Sequence, residues 1–133
     1  MKKNGVLNAP LSRIIAEMGH TNKLVICDCG LPIPKKAEVV DLALTKNIPR
    51  FIDTLKVVLG ELQVEQVIVA EELVKSGNGL FNEIKSLIPN VKITKVKHER
   101  FKNITKEDSE ITFVRTGEST PYANIILISG VTF

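Results

Sequence analysis

A chain of 133 residues carries only two imidazoles, His20 and His98, one phenol, Tyr122, and two thiols, Cys27 and Cys29. Only the histidines among these ordinarily change charge near neutral pH, which makes them the first candidates for proton transfer. Both stand at the ends of elements rather than inside them. His20 directly follows Gly19, where an imidazolium could equally serve as a favourable charge at the negative end of a helix. Asp28 closes the apolar run Leu24-Val25-Ile26-Cys27. In open α/β sheets ligands collect at the carboxyl ends of strands, so a carboxylate there is a candidate ligand contact, and its competing role is an Asx-turn before Gly30. Cys27 and Cys29 face away from Asp28 if the strand persists, and both are expected to be free thiols serving as small core residues. A disulfide between residues two apart in an extended segment would be strained. Cys-x-Cys with two distant histidines has no zinc-ligand spacing, so no metal is expected.

The segment from Arg115 to Asn124 holds Arg115, Glu118, Ser119, Thr120, Tyr122 and Asn124 within ten residues. Such a density of hydrogen-bonding groups suits a polyhydroxylated ligand, or else a polar crossover loop. Ser76-Gly77-Asn78-Gly79 lacks the lysine and the spacing of a phosphate loop and is expected only to start a helix. No glycine-rich turn follows any expected strand, which disfavours a nucleotide-binding domain.

These groups need a scaffold, and the apolar pattern supplies one. Leu11, Ile14, Ile15 and Met18 fall on one helical face, begun near Asn8 and Pro10 and stopped at Gly19. Leu24 to Cys27 is apolar throughout, as a strand buried on both faces must be. A second strand is expected at Val39 to Leu44, and a second helix at Leu55, Val58, Leu59 and Leu62, entered through Pro49 with Asp53 near its positive end. Val67 to Ala70 predicts another buried strand, Leu80 to Ile88 a third helix closed by Pro89, and Val91 to Thr94 a half-exposed strand. Lys92, Lys95 and Lys97 suit a solvated edge strand. A short helical turn around His98 to Ile104 and strands at Ile111 to Val114 and Ile125 to Ile128 complete the chain. Strands alternating with helices predict an α/β fold, one domain over residues 1–133, in which helices flank a mostly parallel central sheet.

Composition narrows the partners. A formal charge of +3 and 5% aromatic residues give little for phosphate contacts or base stacking, so nucleic acid is not expected. No stretch approaches the ~18 apolar residues of a membrane span, and the first residues lack the apolar run of a signal peptide. A cytoplasmic protein with no membrane partner is the expectation.

Four blocks together carry a family resemblance: Lys3-Asn4-Gly5-Val6-Leu7-Asn8, Met18-Gly19-His20-Thr21-Asn22-Lys23, Asp28-Cys29-Gly30-Leu31-Pro32, and Arg115 through Asn124. In order and over essentially the whole chain, they resemble the ribose pyranase branch of the ribose pyranase and fucose mutarotase superfamily. The fucose branch tends to read Asp-Ala-His-Phe-Pro and Tyr-Gly-Asn where this chain has Asp28 to Pro32 and Tyr122-Ala123-Asn124. Cys27 and Cys29 depart from the small residues more common in the family. The resemblance implies an isomerase interconverting the pyranose and furanose forms of D-ribose without any cofactor. It implies His20 as proton donor, with Asp28, His98, Tyr122 and Asn124 contacting the sugar and Ala123 lending backbone. It also implies a ring-built homo-oligomer, decameric in the best-known members. The alternatives are a sugar-binding or regulatory module without turnover, and a mutarotase for another aldose such as L-fucose.

One expectation is geometric. At ~3.3 Å per residue, a straight strand from Lys23 to Cys27 puts His20 and Asp28 on the order of 20 Å apart. Unless the His20 loop folds back, a site using both is completed across a subunit boundary.

Overall fold

A computed structural model describes all 133 residues. Six strands form one sheet: β1 (Lys23–Cys27), β2 (Glu38–Asp41), β3 (Val64–Ala70), β4 (Lys92–Val96), β5 (Thr112–Arg115) and β6 (Ile125–Ser129). Their order across the sheet is β2-β5-β1-β6-β3-β4. β2, β5 and β1 run parallel, as do β3 and β4, and β6 lies antiparallel between β1 and β3. The mostly parallel sheet is therefore observed, with its single reversed strand at the centre.

The helices are α1 (Ala9–Glu17), α2 (Phe51–Leu59), α3 (Glu71–Lys75), α4 (Leu80–Leu87) and α5 (His98–Glu107). Asn8 caps α1 by accepting from Leu11 N, and Pro10 sits in its first turn, where a missing N–H costs nothing. Alternation along β1 divides the core. Leu24 and Ile26 join Leu11, Ile14, Phe51, Leu55, Leu73 and Ile84 beneath α1 to α4. Val25 and Cys27 join Phe101, Phe113 and Ile126 beneath α5. All four residues Leu24 to Cys27 are fully buried, as their continuous apolarity predicts.

Three expectations change in detail. The strand expected over Val39 to Leu44 is only Glu38–Asp41, an edge strand whose one buried residue is Val40. The turn expected near His98 is a ten-residue helix that buries Phe101 and Thr105. Cys29 is not a core residue. β1 ends at Cys27, the chain turns at Asp28, and Cys29 is exposed while Cys27 stays buried. Burial, followed by the nearby Asp28 charge, pushes the Cys27 thiol up to about 12, so this sulfur is inert as a nucleophile at neutral pH. The lysine-guarded edge is borne out: β4 closes one side of the sheet with Lys92 and Lys95 exposed. No helix is long and apolar enough to cross a membrane.

Candidate functional site

The carboxyl end of β1 opens into a hollow of about 270 Å³ lined by Asp28, Gly30, Leu31, Pro32, His98, Pro121 and Tyr122. Three hydrogen bonds fix Asp28. Its backbone N–H donates to Asn124 Oδ1 at 2.9 Å, Asn124 Nδ2 donates to Asp28 Oδ2 at 3.0 Å, and Gly30 N donates to Oδ1 at 2.9 Å. The Asx-turn is thus real for one carboxylate oxygen, while the other is gripped by a fully buried asparagine.

His98 is the first residue of α5. Its backbone N–H donates to the Glu72 carboxylate of α3 at 2.9 Å, which seats the start of α5 against α3. Its ring stands edge-on to Tyr122, centroids 5.0 Å apart, and its Nδ1 is sealed from solvent with no hydrogen-bond partner. The ring lines the hollow, and its unpaired Nδ1 is an exception to the rule that buried polar atoms find partners. Tyr122 is held at φ +64°, a left-handed conformation that a bulky residue adopts only when its surroundings dictate it. The short bond from Asn124 N to Tyr122 O, 2.8 Å, is part of that constraint.

The polar segment from Arg115 to Asn124 faces inward more than its composition suggests. Thr116 donates its hydroxyl to Cys27 O at 2.7 Å. The buried Glu118 accepts from Thr120 N, Thr120 Oγ1 and Phe51 N. Burial pushes the Glu118 carboxyl up, and the hydrogen bonds from Thr120 and Phe51 outweigh it, leaving the group below the usual carboxylate range. Arg115 pairs with Asp41 at 3.0 Å and donates to Cys29 O, while Ser119 bonds Asn47. Ala123 and Asn124 have no exposed surface, and Tyr122 turns outward. Gly117 accommodates the Thr45 to Pro49 loop: a Cβ there would lie 2.7 Å from Ile48 N and closer still to the Thr45 and Ile48 carbonyls.

His20 lies elsewhere, beyond the amino end of β1. It lines a second hollow of about 350 Å³ with Ile15, Met18, Glu61 and residues 129–133. The turn that carries it is tied to β6 by Thr21 N to Ser129 O and Ser129 N to Asn22 O, both 2.9 Å, with Thr21 held at φ +69°. His20 is half exposed, and its Nε2 lies 3.0 Å from Glu65 Oε2. One chain therefore gathers Asp28, His98, Tyr122 and Asn124, and leaves His20 at the far end of the strand. Glu65, Glu72 and Glu118 are absent from the sequence-derived site. Glu118 stands in the polar segment singled out from the sequence but carries no mark of its own there, whereas Glu65, ahead of the strand expected from Val67, and Glu72 have no local signal. No cluster of histidine, cysteine and acidic side chains could hold a metal ion.

Comparison with known proteins places the chain in a family. Residues 1–132 match the RbsD / FucU transport protein family. The chain is 54% identical over 133 residues to D-ribose pyranase of Clostridium perfringens (strain ATCC 13124), covering all of both chains. It is 48% identical to D-ribose pyranase of Geobacillus thermodenitrificans, covering 100% of this chain and 99% of that one. The structure of Bacillus subtilis RbsD complexed with D-ribose superposes with a TM-score of 0.93 at 44% identity, both chains fully covered. The fucose mutarotase from Streptococcus pneumoniae in complex with L-fucose shares the fold, with a TM-score of 0.77 at 23% identity over 96% of this chain and 95% of that one.

Proposed function

The chain belongs to the RbsD / FucU family, and from that premise we infer that it is a D-ribose pyranase, an isomerase exchanging the pyranose and furanose rings of D-ribose. The observation that carries this is full-length identity of about half to proteins of that name, joined to a backbone that superposes on a ribose-complexed relative.

The chemistry asks for little beyond positioned proton carriers. Opening the pyranose puts a proton on the ring oxygen and passes the proton of the anomeric hydroxyl to solvent water, as the bond from C1 to the ring oxygen breaks and a carbonyl forms. Closure through a different hydroxyl reverses both transfers, so no proton, electron or group is consumed. His20 donates to the ring oxygen. Asp28 accepts from sugar hydroxyls, His98 and Tyr122 border them, Ala123 lends backbone, and Asn124 holds Asp28 in place. Such proton transfer contributes ~10²–10⁴-fold.

The site is shared between copies of the chain in a homo-oligomer, decameric as the family resemblance implies. Support comes from the separation of His20 and Asp28 to opposite ends of β1, and from Leu7, Leu44, Ile48 and Val57, apolar and exposed in the single chain. In the cytoplasm, its furanose product would feed a kinase.

Magnetisation-transfer NMR on D-ribose and L-fucose, side by side, tests the reading. Faster pyranose–furanose exchange for ribose is expected, and binding of ribose without faster exchange would replace the enzyme with a sugar-binding module. Mixing inactive His20→Ala and Asp28→Asn chains, dissociated and reassembled, should restore about one quarter of the sites if each draws on two copies. No recovery would place both groups in one chain's site.

A further inference from the structure

We propose that Glu65 is the positioning residue of His20, and that it commits Nε2 of the imidazole so that Nδ1 is the nitrogen that serves the sugar. This rests on the reading of His20 as the proton donor and adds how it is held. Three observations converge on Glu65.

The first is a bulge in β3. Val64 pairs with Ser129 and Gln66 with Ile128, so Glu65 is an additional residue with no partner in β6. Bulges of this kind re-aim a side chain and favour places beside active sites. The second is Gly130, at the end of β6. A Cβ there would stand 3.0 Å from Glu65 Cβ and 3.5 Å from Glu65 Oε2, so the carboxylate lies in space that a side chain at 130 would contest. Gly130 N meanwhile bonds Gln63 O at 2.9 Å, which fixes the backbone at this narrow crossing. The third is the contact itself, 3.0 Å between His20 Nε2 and Glu65 Oε2. The one carboxylate among the side chains lining the His20 hollow, Glu61, is already engaged with Val6 N at 2.6 Å and with Lys2.

A carboxylate can only accept, so the pairing puts a proton on Nε2. In the charged ring, Nδ1 carries the proton that passes to the ring oxygen as the C1–O bond breaks. The neutral ring that remains keeps its Nε2 proton against Glu65, and its Nδ1 lone pair takes the proton of the hydroxyl that attacks C1 on closure. The ring thus returns to its starting state with no net proton change. An unheld imidazole would spend time turned away, or with the lone pair on the wrong nitrogen.

The experiment measures ribose exchange by magnetisation transfer at saturating and limiting sugar, in folded wild-type, Glu65→Gln, Glu65→Ala, His20→Ala and His20→Ala/Glu65→Gln proteins. Each Glu65 variant should lose about 10- to 100-fold in the saturated rate, with ribose affinity within about twofold, and Glu65→Ala should lose the more. In the His20→Ala background, Glu65→Gln should cost nothing further, because the residue acts only through the imidazole. Gly130→Ala, which crowds Glu65 without changing its charge, should also slow exchange. An active wild type whose Glu65→Gln rate stays within twofold overturns the proposal, as does an additive double variant. A wild type that does not accelerate ribose exchange at all instead overturns the assignment of the reaction.

Discussion

At the carboxyl end of β1, Asp28 is fixed by three hydrogen bonds and backed by the buried Thr116, Glu118 and Asn124. At the amino end of the same strand, His20 is half exposed and its ring meets a single carboxylate. The first end is internally complete except for one unpaired nitrogen on His98. The second presents a proton carrier to open space. Binding needs groups fixed before the sugar arrives, and that rigidity is built from buried polar bonds, each costly to leave half-made. A proton donor that meets the substrate from another copy needs only its own orientation fixed.

Substitutions can break this contrast from either side. The largest effect is expected at the open end. His20→Ala should slow ribose exchange by ~10²–10⁴-fold while leaving thermal unfolding within about 0.5 kcal/mol of wild type. Loss of stability with loss of rate would show that the amino end is as structural as the carboxyl end. Asn124→Ala should do the reverse, costing about 2–3 kcal/mol in denaturant unfolding, because the Asp28 backbone N–H and carboxylate lose their buried partner. Ribose affinity should fall with it, and retention of both would leave Asn124 without the positioning role given to it. Gly117→Ala comes next, at about 1–3 kcal/mol, since a methyl group meets the Thr45 and Ile48 backbone and must displace the loop beneath the site. Calorimetry reads this directly.

The smallest effect is the dependence on acid. The Glu118 carboxyl titrates below its ordinary value in the folded chain, so its stabilising contribution is complete above the unfolded value near ~4.3 and is lost as pH falls through the lower folded value. Glu118→Gln should therefore cost about 1–2 kcal/mol at neutral pH, and the gap to wild type should close toward pH 3. A gap that is constant with pH would remove the charge from the account.

The scaffold was legible because burial writes itself into local pattern. Leu24 to Cys27 read as doubly buried and is, and α1 follows its spacing from Asn8 to the stop before Gly19. α3 leaves no periodic pattern, because its five residues, Glu71–Lys75, continue directly from β3 with Leu73 alone turned fully inward. In the candidate site, Asp28 was marked by its position at a strand end and Tyr122 by the polar company it keeps. Composition could not say which way that company faces. Glu118 and Asn124 turn inward because their partners, Phe51 and Asp28, lie 67 and 96 residues away in sequence. The pairing of His20 with Glu65 spans 45 residues and depends on a bulge, which no hydropathy period reveals. Cys29 is exposed because the turn at Asp28 ends the alternation that would bury it.

The reversed strand at the centre of the sheet has a consequence for how the chain comes into being. β6, at residues 125–129, follows the other five strands, yet it is the only strand hydrogen-bonded to both the β2-β5-β1 half and the β3-β4 half. During synthesis, which runs from the amino terminus at about 5–20 residues per second, both halves wait with open edges until β6 itself is made. The keystone follows every strand it joins, and a chain stopped at Asn124 leaves the facing edges of β1 and β3 without their hydrogen-bond partner.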